Sequence, residues 1–101
     1  MATELQQQVW SKLKEIPKGK VATYAELARA VGKPRAVRAV ASAVGKNPNL
    51  VTVPCHRVVR SDGQVGQYAD GQEFKIKLLR QEGVSVKDKK VSLDLLYIFD
   101  R

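Results

Sequence analysis

Thr23-Tyr24-Ala25-Glu26-Leu27-Ala28-Arg29-Ala30-Val31-Gly32-Lys33-Pro34 is the stretch that decides how this chain folds. Thr23 and Glu26 stand at capping-box spacing, so the Thr23 hydroxyl caps a helix start and the Glu26 side chain reaches back to the cap N–H. Leu27, Ala28 and Val31 continue a short helix. Gly32 suits the left-handed residue that ends it, and Pro34 suits the first turn of the next. That next helix, about Pro34 to Val44, places Val37, Val40, Ala41 and Val44 on one face. Arg35, Arg38, Ser42 and Lys46 lie broadly on the other, with Ala39 and Ala43 as small neighbours. A helix, a glycine turn and a second helix outline a helix-turn-helix whose charged, small-residue face can approach a nucleic-acid groove.

Upstream, residues 4–16 carry Leu5, Val9, Leu13 and Ile16 at helical spacing, with Lys12, Lys14 and Glu15 on the wet side. Trp10 sits beside that stripe as a packing residue, and Pro17-Lys18-Gly19-Lys20 ends the helix. Downstream, Gly45 to Asn49 is rich in turn residues, and Leu50 to Val53 forms an extended lead into Pro54. Val58 and Val59 predict a short strand, with Ser61 to Gln64 turning so that Val65 lies opposite in a small wing. After the Gly66–Gly71 loop, a fourth helix runs from about Gln72 to Gly83 on a Phe74, Leu78 and Leu79 stripe, with Ile76 off it. A Lys87-Asp88-Lys89-Lys90 turn and the apolar Leu93 to Phe99 run then pack against the body. The expected fold is mainly α: a three-helix bundle with a helix-turn-helix, winged-helix-like, plus a short β wing and a fourth helix.

Length and composition agree with one domain: 101 residues, 44% of them hydrophobic, support a single modest core. The chain has one cysteine and one histidine, too few for an internal disulfide or for the four protein ligands of a structural zinc site, so we expect no metal and no cofactor. No apolar signal core or membrane-length run is present, which predicts an intracellular, cytoplasmic location. Eighteen Lys+Arg against ten Asp+Glu give a net charge of +8, which favours a polyanionic partner. No acid stands between Glu26 and Asp62, whereas Arg29, Lys33, Arg35, Arg38, Lys46, Arg57 and Arg60 all do. Such a tract reads as a phosphate footprint, the alternative being a generally basic surface.

Cys55 and His56 lie side by side within that tract. A thiolate is a strong nucleophile, free cysteine has a pKa of about 8.5, and an adjacent base activates it. The other reading makes Cys55 a small buried hydrophobe and His56 a solvated loop residue. The glycines form neither a GxGxxG nor a P-loop, so no nucleotide-phosphate cradle competes.

Pro54-Cys55-His56-Arg57-Val58-Val59 resembles the active-site signature of the O6-alkylguanine-DNA alkyltransferases. Further matches follow in order: Tyr24 opening the second helix, Arg38 in the third, Asn47-Pro48, Gly66-Gln67-Tyr68, and Glu82-Gly83 closing the fourth. The resemblance spans about Val9 to Gly83 and implies transfer of an alkyl group from a flipped-out O6-alkylguanine in double-stranded DNA to Cys55, irreversibly. It further implies that His56 acts through a water as base, that Glu82 orients His56, and that Asn47 braces the turn. Tyr24 would donate to the departing guanine, and Arg38 would fill the vacated stack while the third helix lies in the minor groove. Arg35, Ser42, Lys46 and Arg57 would complete the DNA surface, and Tyr24, Val58, Tyr68, Ala69 and Asp70 the substrate pocket. Asp70 departs from the family pattern, as does Gln67 where glycine is common. The chain corresponds to the catalytic domain without the family's N-terminal domain, and a monomer acting on DNA is expected, associated with nucleoid or nucleus when bound.

Two rivals make different predictions. The alkyltransferase-like proteins, which recognise O6-alkylguanine and recruit excision repair without transfer, are similar in length and in the ending Val91-Ser92-Leu93-Asp94-Leu95-Leu96-Tyr97, but they typically replace the acceptor cysteine. A winged-helix transcription factor would bind undamaged sequence in the major groove and leave Cys55 inert.

Overall fold

The protein, seen here as a computed structural model, is described over residues 2–49, 52–68 and 70–99. Thr3 opens helix α1 (Glu4–Leu13) with a full capping box, accepting from the Gln6 N–H while the Gln6 side chain accepts from the Thr3 N–H. The α-helix is shorter than the apolar stripe implied. Glu15 and Ile16 turn back onto the carbonyls of Lys12 and Leu13, and this tighter turn still delivers Ile16 to the core.

Strand β1 (Ala22–Thr23) leads directly into α2 (Tyr24–Ala30). Thr23 caps α2 as its spacing predicts, accepting from the Glu26 N–H at 3.0 Å. The Glu26 carboxylate is bound to Arg29 and to the backbone N–H of Phe99 at 2.9 Å, and Arg29 also donates to the Phe99 carbonyl. Gly32, at φ 78°, turns the chain toward α3 (Val37–Gly45). Here the structure corrects the expected start at Pro34: the Ala36 N–H closes a turn onto the Lys33 carbonyl, so Pro34 and Arg35 precede the helix. The core face is Val40, Ala43 and Val44, which moves Ala43 from the outer face to the interior. Trp10 ties α1 to α3 by donating from its indole N–H to the Ala43 carbonyl at 2.8 Å, as a packing residue should.

The wing differs from expectation. Strand β2 (Val58–Val59) pairs in parallel with β1, Ala22 opposite Val58 and Thr23 opposite Val59. The Ser61–Gln64 turn does form, closed by the Arg60 N–H on the Gln64 carbonyl at 2.8 Å. Val65, however, donates to Lys89, beside the antiparallel hairpin of β3 (Val86–Lys87) and β4 (Lys90–Val91). Val58 and Val59 pair with β1 instead, and the tail supplies the backbone partner of Val65.

Helix α4 (Gln72–Gln81) is also turned from its predicted stripe. Lys75 and Leu79 are its buried residues, Phe74 is 37% exposed, and Ile76 packs beneath the tail hairpin. The tail packs as anticipated. Tyr97 and Val21 join their backbones at 2.7 Å, and Phe99 is buried in the main core with Val9, Leu13, Leu27, Val40 and Val58. A second cluster of Val21, Val59, Val65, Leu79, Val84, Val86 and Val91 lies under the hairpin. The helix-turn-helix bundle, the short strands and α4 meet at the turn that carries Cys55. Among the described residues, no helix is long and apolar enough to cross a membrane.

Candidate active site and nucleic-acid interface

Cys55, His56 and Arg57 form one turn of 3-10 helix leading into β2. Asn47, buried after α3, holds the approach to this turn: its amide donates to the Val53 carbonyl at 2.7 Å and its oxygen accepts from the Asn49 N–H at 3.0 Å. Leu50, Val51 and Ala69 lie outside the described residues. Cys55 is buried and unpaired, and it lines a cavity of about 320 Å³ with Tyr24, Ala41, Val44, Gly45, Gln67 and Tyr68. A space of that size is sufficient for a small planar ligand.

His56 is fully buried, contrary to the solvated-loop alternative. Its Nε2 lies 3.0 Å from Glu82 Oε2. A carboxylate only accepts, so Nε2 carries the proton and Nδ1 is left with its lone pair. Nδ1 is buried and meets no hydrogen-bond partner among the described residues. Burial lowers the His56 pKa, with Arg57 and Lys75 adding in the same direction and Glu82 opposing, so the ring is neutral at neutral pH. An unprotonated, oriented imidazole nitrogen next in sequence to a cysteine is a competent base.

Glu82 caps the end of α4, and Arg57 grips it with both arms, at 2.9 and 2.7 Å, while also donating to the Ile16 carbonyl at 2.8 Å. Burial alone would raise the carboxyl; the Arg57 and His56 bonds outweigh it and hold Glu82 below its ordinary value. The expectation that Arg57 binds DNA is therefore corrected, because its guanidinium is committed to Glu82 and to the α1 end. Arg29 is similarly engaged by Glu26.

Tyr24 stands at the first position of α2, on the cavity wall, and burial followed by the Cys55 charge raises its hydroxyl pKa, partly opposed by Arg60. It remains a proton donor throughout the physiological range. The Tyr68 hydroxyl is buried with no hydrogen-bond partner among the described residues, and burial, with Cys55 and Asp70 adding to it, raises its pKa strongly. Asp70 itself is exposed on the loop. Val58 is the second correction among the site residues: it is 0% exposed, pairs with Ala22 and belongs to the main core, and does not figure among the described cavity-lining residues.

Outside the cavity mouth lies a groove of about 560 Å³ lined by Tyr24, Val37, Arg38, Ala41, Arg60, Ser61, Asp62, Gly66 and Gln67. Arg38 on α3 thus faces the same opening as Tyr24. Ser42 and Lys46 are exposed on α3 or at its end, and Arg35 is exposed in the turn before it, so the basic surface survives without a helical Arg35. Sequence reasoning missed two residues. Arg60 shares the groove with Arg38; the sequence places it in the acid-free tract without giving it a site role. Lys75 is fully buried behind the cavity, and no signal in the chain distinguishes it from a solvated helix charge. Among the described residues, no three His, Cys, Asp or Glu side chains group as metal ligands do.

Residues 4–84 match the family described as 6-O-methylguanine DNA methyltransferase, DNA binding domain. The chain belongs to that family. Relatives within it include a methylated-DNA–protein-cysteine methyltransferase of Methanosarcina acetivorans, 48% identical over 81 residues, which are 80% of this chain and 52% of the relative. Among solved structures, Mycobacterium tuberculosis OGT in complex with DNA matches at TM-score 0.79 and 43% identity, over 81% of this chain and 51% of that one. The Schizosaccharomyces pombe Atl1, in complex with damaged DNA containing O6-carboxymethylguanine, matches at TM-score 0.85 and 32% identity, over 96% of this chain and 98% of that one. The chain therefore spans about half the length of the methyltransferase relatives and nearly all of Atl1. The mainly α, helix-turn-helix fold expected from the sequence is the fold of these neighbours' DNA-binding domains.

Proposed function

We propose that this chain repairs DNA by transferring the alkyl group of a flipped-out O6-alkylguanine, chiefly O6-methylguanine, to Cys55 in a single irreversible turnover. The observation that carries the reading is the buried His56 next to Cys55, whose Nε2 is held by Glu82 while Nδ1 of the neutral ring meets no hydrogen-bond partner among the described residues. His56 accepts the Cys55 proton through a water, and the thiolate attacks the alkyl carbon in line. The S–C bond forms as the C–O6 bond breaks, and the electron pair leaves with the guanine. Tyr24 then donates its proton to a ring nitrogen, neutralising the leaving base. Asn47 keeps the Cys55 turn in place by its bond to Val53. Tyr68 walls the cavity, and Asp70 stands exposed beyond it.

Binding is to duplex DNA, with Arg38 filling the stack that the flipped nucleotide vacates and Arg35, Ser42 and Lys46 on the backbone. Flipping costs a few kcal/mol, which phosphate contacts and a filled stack offset. The chain works as one domain and a monomer, needs no cofactor, and acts inside the cell where DNA is.

One observation favours a second reading, a lesion sensor that binds O6-alkylguanine without transfer: the match to Atl1 extends over nearly its full length, tail included. Intact-mass analysis after incubation with a duplex containing O6-methylguanine separates the two. Transfer predicts one added methyl per chain, located on Cys55, and none in Cys55→Ala. An unchanged mass with tight, lesion-specific binding makes the sensor reading correct, and sequence-specific binding to undamaged DNA rejects both.

A further inference from the structure

Arg60 has no task in the chemistry proposed above, yet the fold sets it beside Tyr24. Strands β1 and β2 run in parallel with Thr23 opposite Val59, at the spacing of about 4.8 Å usual between strands, so the next residues, Tyr24 and Arg60, leave the ladder side by side. Gly66, at φ 75°, lies against both: a Cβ there would stand 3.5 Å from Arg60 Cγ and 3.8 Å from the Tyr24 ring edge. The Arg60 backbone is pinned by the wing turn, its N–H donating to the Gln64 carbonyl at 2.8 Å and its carbonyl accepting from the Gly63 N–H at 2.9 Å. Arg60 itself is exposed, and the ion pairs among the described residues do not include it. Its charge acts to lower the Tyr24 hydroxyl pKa, as a guanidinium near that hydroxyl must.

The cavity that Cys55 lines and the groove outside it share three walls, Tyr24, Ala41 and Gln67. These form a lip: a nucleotide rotated out of the duplex puts its base on the Cys55 side and keeps its sugar and phosphates on the groove side. Two cations line that groove, Arg38 from α3 and Arg60 from the start of the wing turn. The groove's acid, Asp62, is turned into the wing, its Oδ1 accepting from the Gln64 N–H at 3.0 Å. Lys75 lies behind the same wall, but it is fully buried and donates to the Gln67 carbonyl, so no phosphate reaches it. With Arg38 assigned to the vacated stack, Arg60 is the groove cation that remains at the lip. We propose that Arg60 holds a phosphate flanking the extruded nucleotide and so clamps the alkylated base in the cavity. This rests on the base extrusion of the proposed function. The planar guanidinium fork matches phosphate oxygens, and the lip meets that phosphate only after the nucleotide has rotated out. The contact therefore favours the extruded state and offsets part of the cost of flipping.

The test is a double cycle between protein and DNA. Binding is measured in the full chain carrying Cys55→Ala, so that the lesion is not consumed, with and without Arg60→Gln. The duplexes contain O6-methylguanine and carry either an ordinary backbone or one neutral methylphosphonate, placed on the 5′ or on the 3′ side of the lesion. On the ordinary lesion duplex Arg60→Gln weakens binding about tenfold, the scale of one charge-assisted hydrogen bond at an exposed site. One of the two methylphosphonates weakens the Arg60 protein by a similar factor and leaves Arg60→Gln unaffected, because the contact it removes is already gone. On an undamaged duplex of the same sequence the Arg60→Gln loss is smaller. Losses that add at both methylphosphonates, or equal losses on damaged and undamaged duplex, overturn the proposal and make Arg60 an ordinary backbone contact. If the coupling is found but methylated duplex leaves the mass of the wild-type chain unchanged, the clamp stands and the transfer reading falls. If methyl transfer proceeds without coupling, only the clamp falls.

Discussion

Glu82 is the residue on which most of the site's geometry converges, because one carboxylate orients a base and anchors an arginine at once. Its carboxyl and the His56 imidazole are both held below their ordinary values. Across those intervals the folded protein binds fewer protons than the unfolded chain, so stability is lost as pH falls: first below about 6.5 through His56, then below about 4.3 through Glu82. Urea midpoints measured from pH 7 to 3 should fall along that course, and Glu82→Gln should flatten the lower limb. Arg57→Ala removes both arms from Glu82 and the bond to Ile16, and the expected cost is about 2 kcal/mol, discounted from the fully buried case because the arginine retains some exposure. Chemical denaturation reads that loss directly. A cost near zero would return Arg57 to the surface role its place in the basic tract first implied.

The short β elements separate what the chain announces from what it conceals. Helix α1 and the capped start of α2 are legible because a cap and apolar spacing coincide, whereas α3 is legible in its apolar spacing but not in its start, which no side-chain cap marks. The pairing of β1 with β2 is not, since two residues on each side carry no alternation and their partners are far apart in sequence. For the same reason the sequence sets Val65 opposite Val58 or Val59, whose partners in the fold are Ala22 and Thr23. Lys75 was illegible on physical grounds too. A lysine one helical turn before Leu79 looks like a solvated charge unless the cavity opposite is known. The family resemblance picks out Cys55, His56, Asn47, Tyr24 and Glu82 as a set, whereas spacing alone leaves Cys55 and His56 with two readings. The β3–β4 hairpin offers a test of element geometry. Asp88 and Lys89 both take positive φ, at 53° and 61°, as a tight turn of this hand requires, and Lys89 gains nothing from it. Lys89→Gly should stabilise the protein by about 1 kcal/mol in thermal or urea unfolding; a loss would mean that the lysine side chain holds the turn.

At the scale of the molecule, the net charge of +8 is less evenly available than the sequence implied, because Arg29 and Arg57 are turned to Glu26 and Glu82. Of the remaining cations in the acid-free tract, Lys33, Arg35, Arg38 and Lys46 stand exposed on or beside α3, and Arg60 lines the groove with Arg38. For binding to a duplex, each backbone contact contributes about 0.9 to the slope of log affinity against log salt. Removing Lys46 should lower that slope by about one unit, whereas removing Arg57 should leave it unchanged while lowering stability. Arg38→Ala should weaken action on duplex DNA more than on free O6-methylguanine base, and equal losses on both would end its stack-filling role.

Phe99 has a consequence for the order in which the molecule is made. It sits in the main core among residues from all three helices of the bundle, and its backbone is held by Glu26 and Arg29. A ribosome releases the Cys55 segment well before it releases Phe99, and domains close only when their core is complete. During synthesis the thiol therefore leaves the exit tunnel into an unfinished fold, without a closed core beneath it. The nascent chain is consequently open to indiscriminate alkylation for an interval that ends when the aromatic plug arrives.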